Sequence, residues 1–150
     1  MKRSLSFIVL LLMALIGSSR GDAIDDFVTS INTKWSQQDY TGISQALSSR
    51  LTGDPNDVLA LSIKAYFDLF ATRDINDAHA SAQSMFNVVN ASNNAKAKEL
   101  AQSIKDEVLS VPTSESSALT TDQKNQLHTV FPQLPMIKKC ATLAHVFSGN

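Results

Sequence analysis

The sequence predicts an all-α protein of about seven helices, arranged as stacked antiparallel hairpins or as a helical bundle. Three observations carry this. Apolar residues recur every three or four positions through most of the chain, and no β-branched or aromatic run alternates with period two. Glycine is scarce, at 5 residues, and the 4 prolines fall between the periodic segments. Aspartate or threonine stands where several of those segments begin, as a helix start requires.

The N-terminus reads as a secretory signal peptide over residues 1–19. Lys2 and Arg3 form a positive start, Phe7 to Ile16 is unbroken apolar sequence, and the small residues Gly17, Ser18 and Ser19 follow. The apolar run is about half the length of a membrane-spanning helix. No cysteine follows it for lipid attachment. Cleavage after Ser19 leaves residues 20–150, the size of one domain, for the periplasm or the medium, with no membrane insertion expected. Lys2 and Arg3 leave with the signal, so the 14 acidic residues outnumber the basic ones that remain. That balance argues against a nucleic-acid partner, and no basic amphipathic stretch points to a membrane surface. Cys140 is the single cysteine, so packing must hold the fold without an internal disulfide. Its apolar helical setting reads as a small core position, with an intermolecular disulfide as the weaker reading.

Asp22 is the expected cap of a first helix carrying Ile24, Phe27, Val28, Ile31 and Trp35 on one stripe. Asp39 caps a second with Tyr40, Ile43, Leu47 and Leu51, stopping at Gly53. Asp54-Pro55 reads as the start of a third, running to about Ala71 and apolar on most of its circumference. Such a helix belongs at the centre of a domain. Asp74 caps a fourth, with Ile75, Ala78, Ala82, Met85, Phe86 and Val89 as its stripe. Residues 90–94 form a loop. A fifth helix carries Ala97, Leu100, Ala101, Ile104, Val108 and Val111 and stops at Pro112. Residues 112–119 read as an exposed Ser/Thr-rich linker, and Thr120 with Gln123 as a capping box opening a short sixth helix. A last helix spans about Met136 to Phe147. The expected organisation is hairpin repeats over 20–111 and C-terminal helices over 120–150.

The first four helices repeat with a period of 35 residues. Ile24 aligns with Leu59, Val28 with Ile63, Ile31 with Tyr66, Trp35 with Phe70 and Asp39 with Asp74. Helical hairpins of this length stack, because one alone cannot bury its apolar face. The run Asp39-Tyr40-x-x-Ile43 followed by Asp54-Pro55, and Asp74-Ile75-x-x-Ala78 one period later, resemble the tetratricopeptide repeat over residues 22–111. The resemblance departs from the family pattern. The Gly before each Asp is absent, Ile43 replaces an Ala, and Ile31 and Tyr66 stand where the first helix carries a small residue. It implies a superhelix whose first helices line a groove for a peptide or protein partner. The matching positions are Val28, Asn32 and Trp35, then Ile63, Phe67 and Phe70. The competing expectation is that the C-terminal helices fill this groove and make most of these residues core.

No catalytic, cofactor or metal constellation emerges. His79, His128 and His145 have no ligand spacing, and each reads as a surface or boundary residue. The aspartates at positions 22, 25 and 26, at 54 and 57, and at 74 and 77 lie at helix starts, where the dipole favours negative charge and capping accounts for them. There is no nucleophile elbow and no glycine-rich phosphate loop. Asn90-Ala91-Ser92 matches a glycosylation sequon, relevant only in a eukaryote. The expected function is an exported interaction module for a protein or peptide. The alternative is a closed bundle binding a small apolar ligand, or an enzyme with an unrecognised site.

Overall fold

The computed structural model describes residues 20–116, 120–123 and 133–149. The expected signal peptide, the body of the expected sixth helix and His128 lie outside the described residues. Among the described residues the protein is all-helical, with six α-helices: α1 (Arg20–Ser36), α2 (Tyr40–Gly53), α3 (Val58–Phe67), α4 (Ile75–Asn90), α5 (Ala95–Leu109) and α6 (Gln133–Phe147). None of them is long and apolar enough to cross a membrane.

The α1 stripe is real: Ile24, Ile31 and Trp35 are buried, and Phe27 and Val28 pack against the core. The helix is already under way at Arg20, so Asp22 stands within it and is not its cap. Its end is a Schellman motif. Asp39 N–H reaches back to Lys34 O at 2.8 Å, and Gln38 N–H to Trp35 O at 2.9 Å. Gln38 takes the left-handed conformation this requires, with φ 55°. Asp39 then caps α2, its Oδ1 accepting from Gly42 N–H at 2.9 Å.

One period later the device recurs. Arg73 has φ 59°, and Asp74 Oδ1 accepts from Asp77 N–H at 3.0 Å to cap α4. Gln38 and Arg73 are thus the two non-glycine residues with positive φ among the described residues. Both occupy the place of the glycine that the repeat pattern would carry.

The start of α3 corrects the sequence expectation. Asp54 does not cap it. Asp54 O accepts from Asp57 N–H at 3.1 Å and its Oδ1 from Asn56 N–H at 3.0 Å, so Asp54-Pro55 makes a tight turn before the helix. The cap is Asp57, whose Oδ1 accepts from Ala60 N–H at 2.9 Å. The far end differs as well. The α-helix stops at Phe67 and continues as one π-helical turn over Asp68–Thr72. Every residue of α3 except Lys64 is buried, which is what its all-round apolar sequence demands.

Helix α3 is accordingly central: it packs against α2, α4, α5 and α6. Helix α4 lies between α3 and α5, and α6 returns to pack against α1, α3 and α5. Met136, Ile137, Cys140, Leu143 and Ala144 of α6 are core residues. Each large one contributes roughly 1.5–3 kcal/mol of burial. Cys140 is fully buried, and burial pushes its thiol up to about 12. Asn94 fastens two helices at once. Its Oδ1 caps α5 through Ala97 N–H at 3.0 Å, and its Nδ2 donates to Val146 O of α6 at 2.7 Å.

The described part of the expected linker is exposed, yet it is docked. A 3-10 turn at Thr113–Glu115 lets Ser116 Oγ accept from Ile75 N–H at 3.0 Å, and Arg73 donates to Glu115 O at 3.0 Å. Thr120 and Gln123 make the reciprocal bonds of a capping box, at 2.9 and 3.2 Å.

Candidate functional site

The six residues that the repeat resemblance puts in a groove divide into two groups. Trp35, Ile63 and Phe67 are buried, at 3%, 0% and 3% exposure. Val28, Asn32 and Phe70 are half-buried. Phe67 meets Trp35 edge-on with ring centres 6.0 Å apart, and Tyr40 at 6.4 Å. Phe70 stacks on Tyr66 instead, at 6.5 Å. Trp35 and Phe67 pack ring against ring beside the α1–α2 turn, and Ile63 is enclosed on α3; Phe67 also borders a small cavity with Leu47 and Thr72.

An open cleft of about 250 Å³ lies elsewhere, where the first turns of α1, the α2–α3 turn and the end of α6 converge. Its floor is apolar: Ile24, Leu59, Ala144 and Phe147. Its rim is charged, and the α2–α3 turn builds it. Asp57 is held in place by capping α3, which leaves its Oδ2 to accept from Arg50 Nε at 2.6 Å. The Arg50 guanidinium also lies 4.6 Å over the Phe27 ring, a cation–π contact that spreads its planar head across α1. A charged head fixed beside a half-open apolar floor can orient a guest while burying its apolar part.

A second, smaller cavity of about 160 Å³ sits between α2, α3 and α4 beside the π-helical turn. Ser44, Ser48, Lys64, Asp68, Thr72 and Asp77 supply its polar lining. Lys64 Nζ bridges Asp68 Oδ2 at 2.5 Å and Asp77 Oδ2 at 2.6 Å, and Thr72 Oγ1 donates to Asp68 Oδ1 at 2.9 Å. Burial raises the Asp68 carboxyl above its ordinary value, against the opposing pull of Lys64. The hydrogen bond from Lys64 lowers Asp77. Burial would lower Lys64, but its two carboxylate partners outweigh that and raise it. Every charged member has a partner, so the arrangement ties α3 to α4.

The two described histidines make structural contacts. Half-buried His79 donates from Nε2 to Val111 O at 2.8 Å, and His145 Nε2 lies 2.8 Å from Asp25 Oδ1, joining α6 to α1. No group of three or more His, Cys, Asp or Glu side chains suited to a metal ion occurs among the described residues. Asn90 of the sequon is exposed at the end of α4, and the Ser92 hydroxyl donates to Val89 O at 2.6 Å.

Sequence reasoning missed Arg50 and Phe147 as cleft residues. Arg50 and Asp57 are seven apart across a turn, a separation with no periodic signature. Lys64 and Asp68, four apart on one helix, carried a readable signal. Compared with known proteins, the chain matches no family model, no curated protein and no solved structure.

Proposed function

We propose that the chain is an exported helical-repeat protein that acts as a protein- or peptide-interaction module, and that it engages its partner through the cleft between α1, the α2–α3 turn and α6. The observation that carries this reading is the cleft's make-up: an apolar floor of Ile24, Leu59, Ala144 and Phe147 beneath a rim holding Arg50 and Asp57. About 250 Å³ accommodates one large apolar side chain. The rim then offers hydrogen bonds to the partner's backbone. The cleft is open to solvent, which suits a side chain presented by another protein better than an enclosed small molecule. The N-terminal charge, apolar run and small residues support export.

Titration of the purified protein with anilinonaphthalenesulfonate tests the site. This probe joins an apolar ring system to an anionic group that Arg50 would attract. Saturable fluorescence from the folded monomer is expected. Ala23, an exposed residue on the rim, gives the control. Ala23→Trp fills the cleft from outside the core, so it should abolish dye binding and leave the melting temperature unchanged. Absence of dye binding, or binding indifferent to Ala23→Trp, removes the cleft as the site.

A further inference from the structure

The open cleft between α1, the α2–α3 turn and α6 has three charged side chains on its rim, Arg50, Asp54 and Asp57. Two of them offset each other. Asp57 has both carboxylate oxygens engaged, Oδ1 by Ala60 N–H at 2.9 Å and Oδ2 by Arg50 Nε at 2.6 Å. Asp54 is the surplus charge. It is exposed, and the turn engages its Oδ1, which accepts from Asn56 N–H at 3.0 Å. The start of α3 and the end of α6 both border the cleft, so their dipoles oppose each other and the side chains set the sign. That sign is negative. The rim also donates. A guanidinium has five N–H groups, and the bond to Asp57 uses the one on Nε. The residues bearing the donor and the surplus acceptor are tied together through the backbone, Asp54 N–H bonding to Arg50 O at 2.9 Å.

We infer that the cleft takes the amino-terminal end of a partner's polypeptide chain, one that begins with a large apolar residue. The inference rests on the cleft being the partner site. At such an end the α-ammonium and the first carbonyl flank a single carbon, and that carbon also carries the side chain. The ammonium donates to the Asp54 carboxylate, a charge-assisted bond. The carbonyl accepts from the Arg50 guanidinium. The side chain lies on the floor of Ile24, Leu59 and Phe147. Other parts of a chain match the rim less well. A carboxyl-terminal residue sets its own carboxylate against Asp54 and Asp57. An internal segment brings no backbone charge and leaves Asp54 to water.

The test is a nuclear magnetic resonance titration of the ¹⁵N-labelled protein with three peptides. Phe-Ala-Ala-amide has a free amino end, its acetylated form has neither end free, and acetyl-Ala-Ala-Phe has a free carboxyl end. The expected result is a saturable response to Phe-Ala-Ala-amide, confined to amides of the start of α1, the α2–α3 turn and the end of α6. Acetylation removes the charge-assisted bond and should weaken binding about tenfold. Acetyl-Ala-Ala-Phe should bind no better than the acetylated peptide. Asp54→Asn keeps the acceptor for Asn56 N–H and removes the charge, so the preference for a free amino end should disappear. The comparison of peptides on the wild-type protein decides the matter if that variant fails to fold. Equal binding of the free and acetylated peptides, tighter binding of acetyl-Ala-Ala-Phe than of Phe-Ala-Ala-amide, or a preference that survives in Asp54→Asn overturns the inference. Saturable dye binding with no response to any peptide also overturns it, and leaves the cleft itself standing as a site. Loss of dye and peptide binding together removes both.

Discussion

The hairpins α1–α2 and α3–α4 are written in one periodic pattern, yet they bear very different loads. Both turn through a left-handed residue, Gln38 or Arg73, followed at once by an aspartate cap. Their first helices diverge. Helix α3 buries all but one of its residues, whereas α1 leaves Phe27 and Val28 half-exposed and touches chiefly α2 and α6. The pattern therefore fixes the turn inside each hairpin and the face each helix buries. How deeply a residue is buried depends on how many neighbours the fold supplies, and α3 has four helices around it while α1 has two.

Equivalent substitutions expose this difference. Ile63→Ala, at a fully buried site, should cost about 2–5 kcal/mol in urea unfolding. Val28→Ala, its repeat partner at a half-buried site, should cost about 1 kcal/mol. Equal losses would mean that the hairpins share load evenly. The turns should separate next. Gln38 is exposed, so Gln38→Gly relieves left-handed strain and should stabilise by up to about 1 kcal/mol. Arg73→Gly should give no gain, because Arg73 also donates to Leu69 O at 2.9 Å and to Glu115 O at 3.0 Å.

The third residue of α2 is Gly42, and that of α4 is Asp77. Asp77 has a folded-state pKa below its ordinary value of 3.8, so its ionised form stabilises the fold above that value. The stability is lost as pH falls through the lowered value. Asp77→Asn should therefore lower the midpoint slightly at pH 7, and the difference from wild type should vanish on acidification below the carboxylate range. The effect is small because the side chain is half-exposed. The smallest effect belongs to Gly42→Ala. Helix propensity favours alanine by about 1 kcal/mol, but a Cβ here would overlap the Asp39 carboxylate and displace the cap, a loss of about 1 kcal/mol. A net change near zero is expected, and the propensity gain should reappear in an Asp39→Ala background.

The elements that were legible in sequence share a cause: their signals are local. The caps Asp39 and Asp74, the Thr120–Gln123 box and the all-round apolar α3 are each set by contacts within one or two turns. Misread features had rivals at the same range. Asp54 and Asp57 both precede α3, and Pro55 fits a tight turn as well as a first helical turn, so the cap fell three residues late. The π-helical turn left no mark, because one extra residue in a buried helix keeps an apolar pattern. The cleft was invisible for a different reason. Ile24, Arg50, Leu59 and Phe147 come from four separate segments, and only packing unites them. Of the aromatic residues expected along a groove, Trp35 and Phe67 pack against each other.

Cys140 has a practical consequence. Its thiol is fully enclosed and held as the neutral acid, since the reactive species is the thiolate and burial pushes its pKa to about 12. A thiol-specific reagent should then modify the native chain only as fast as α6 detaches from the core. The single cysteine is thus a natural clock for that detachment. Labelling half-lives across the variants above would report whether α6 leaves alone or only when the whole fold opens.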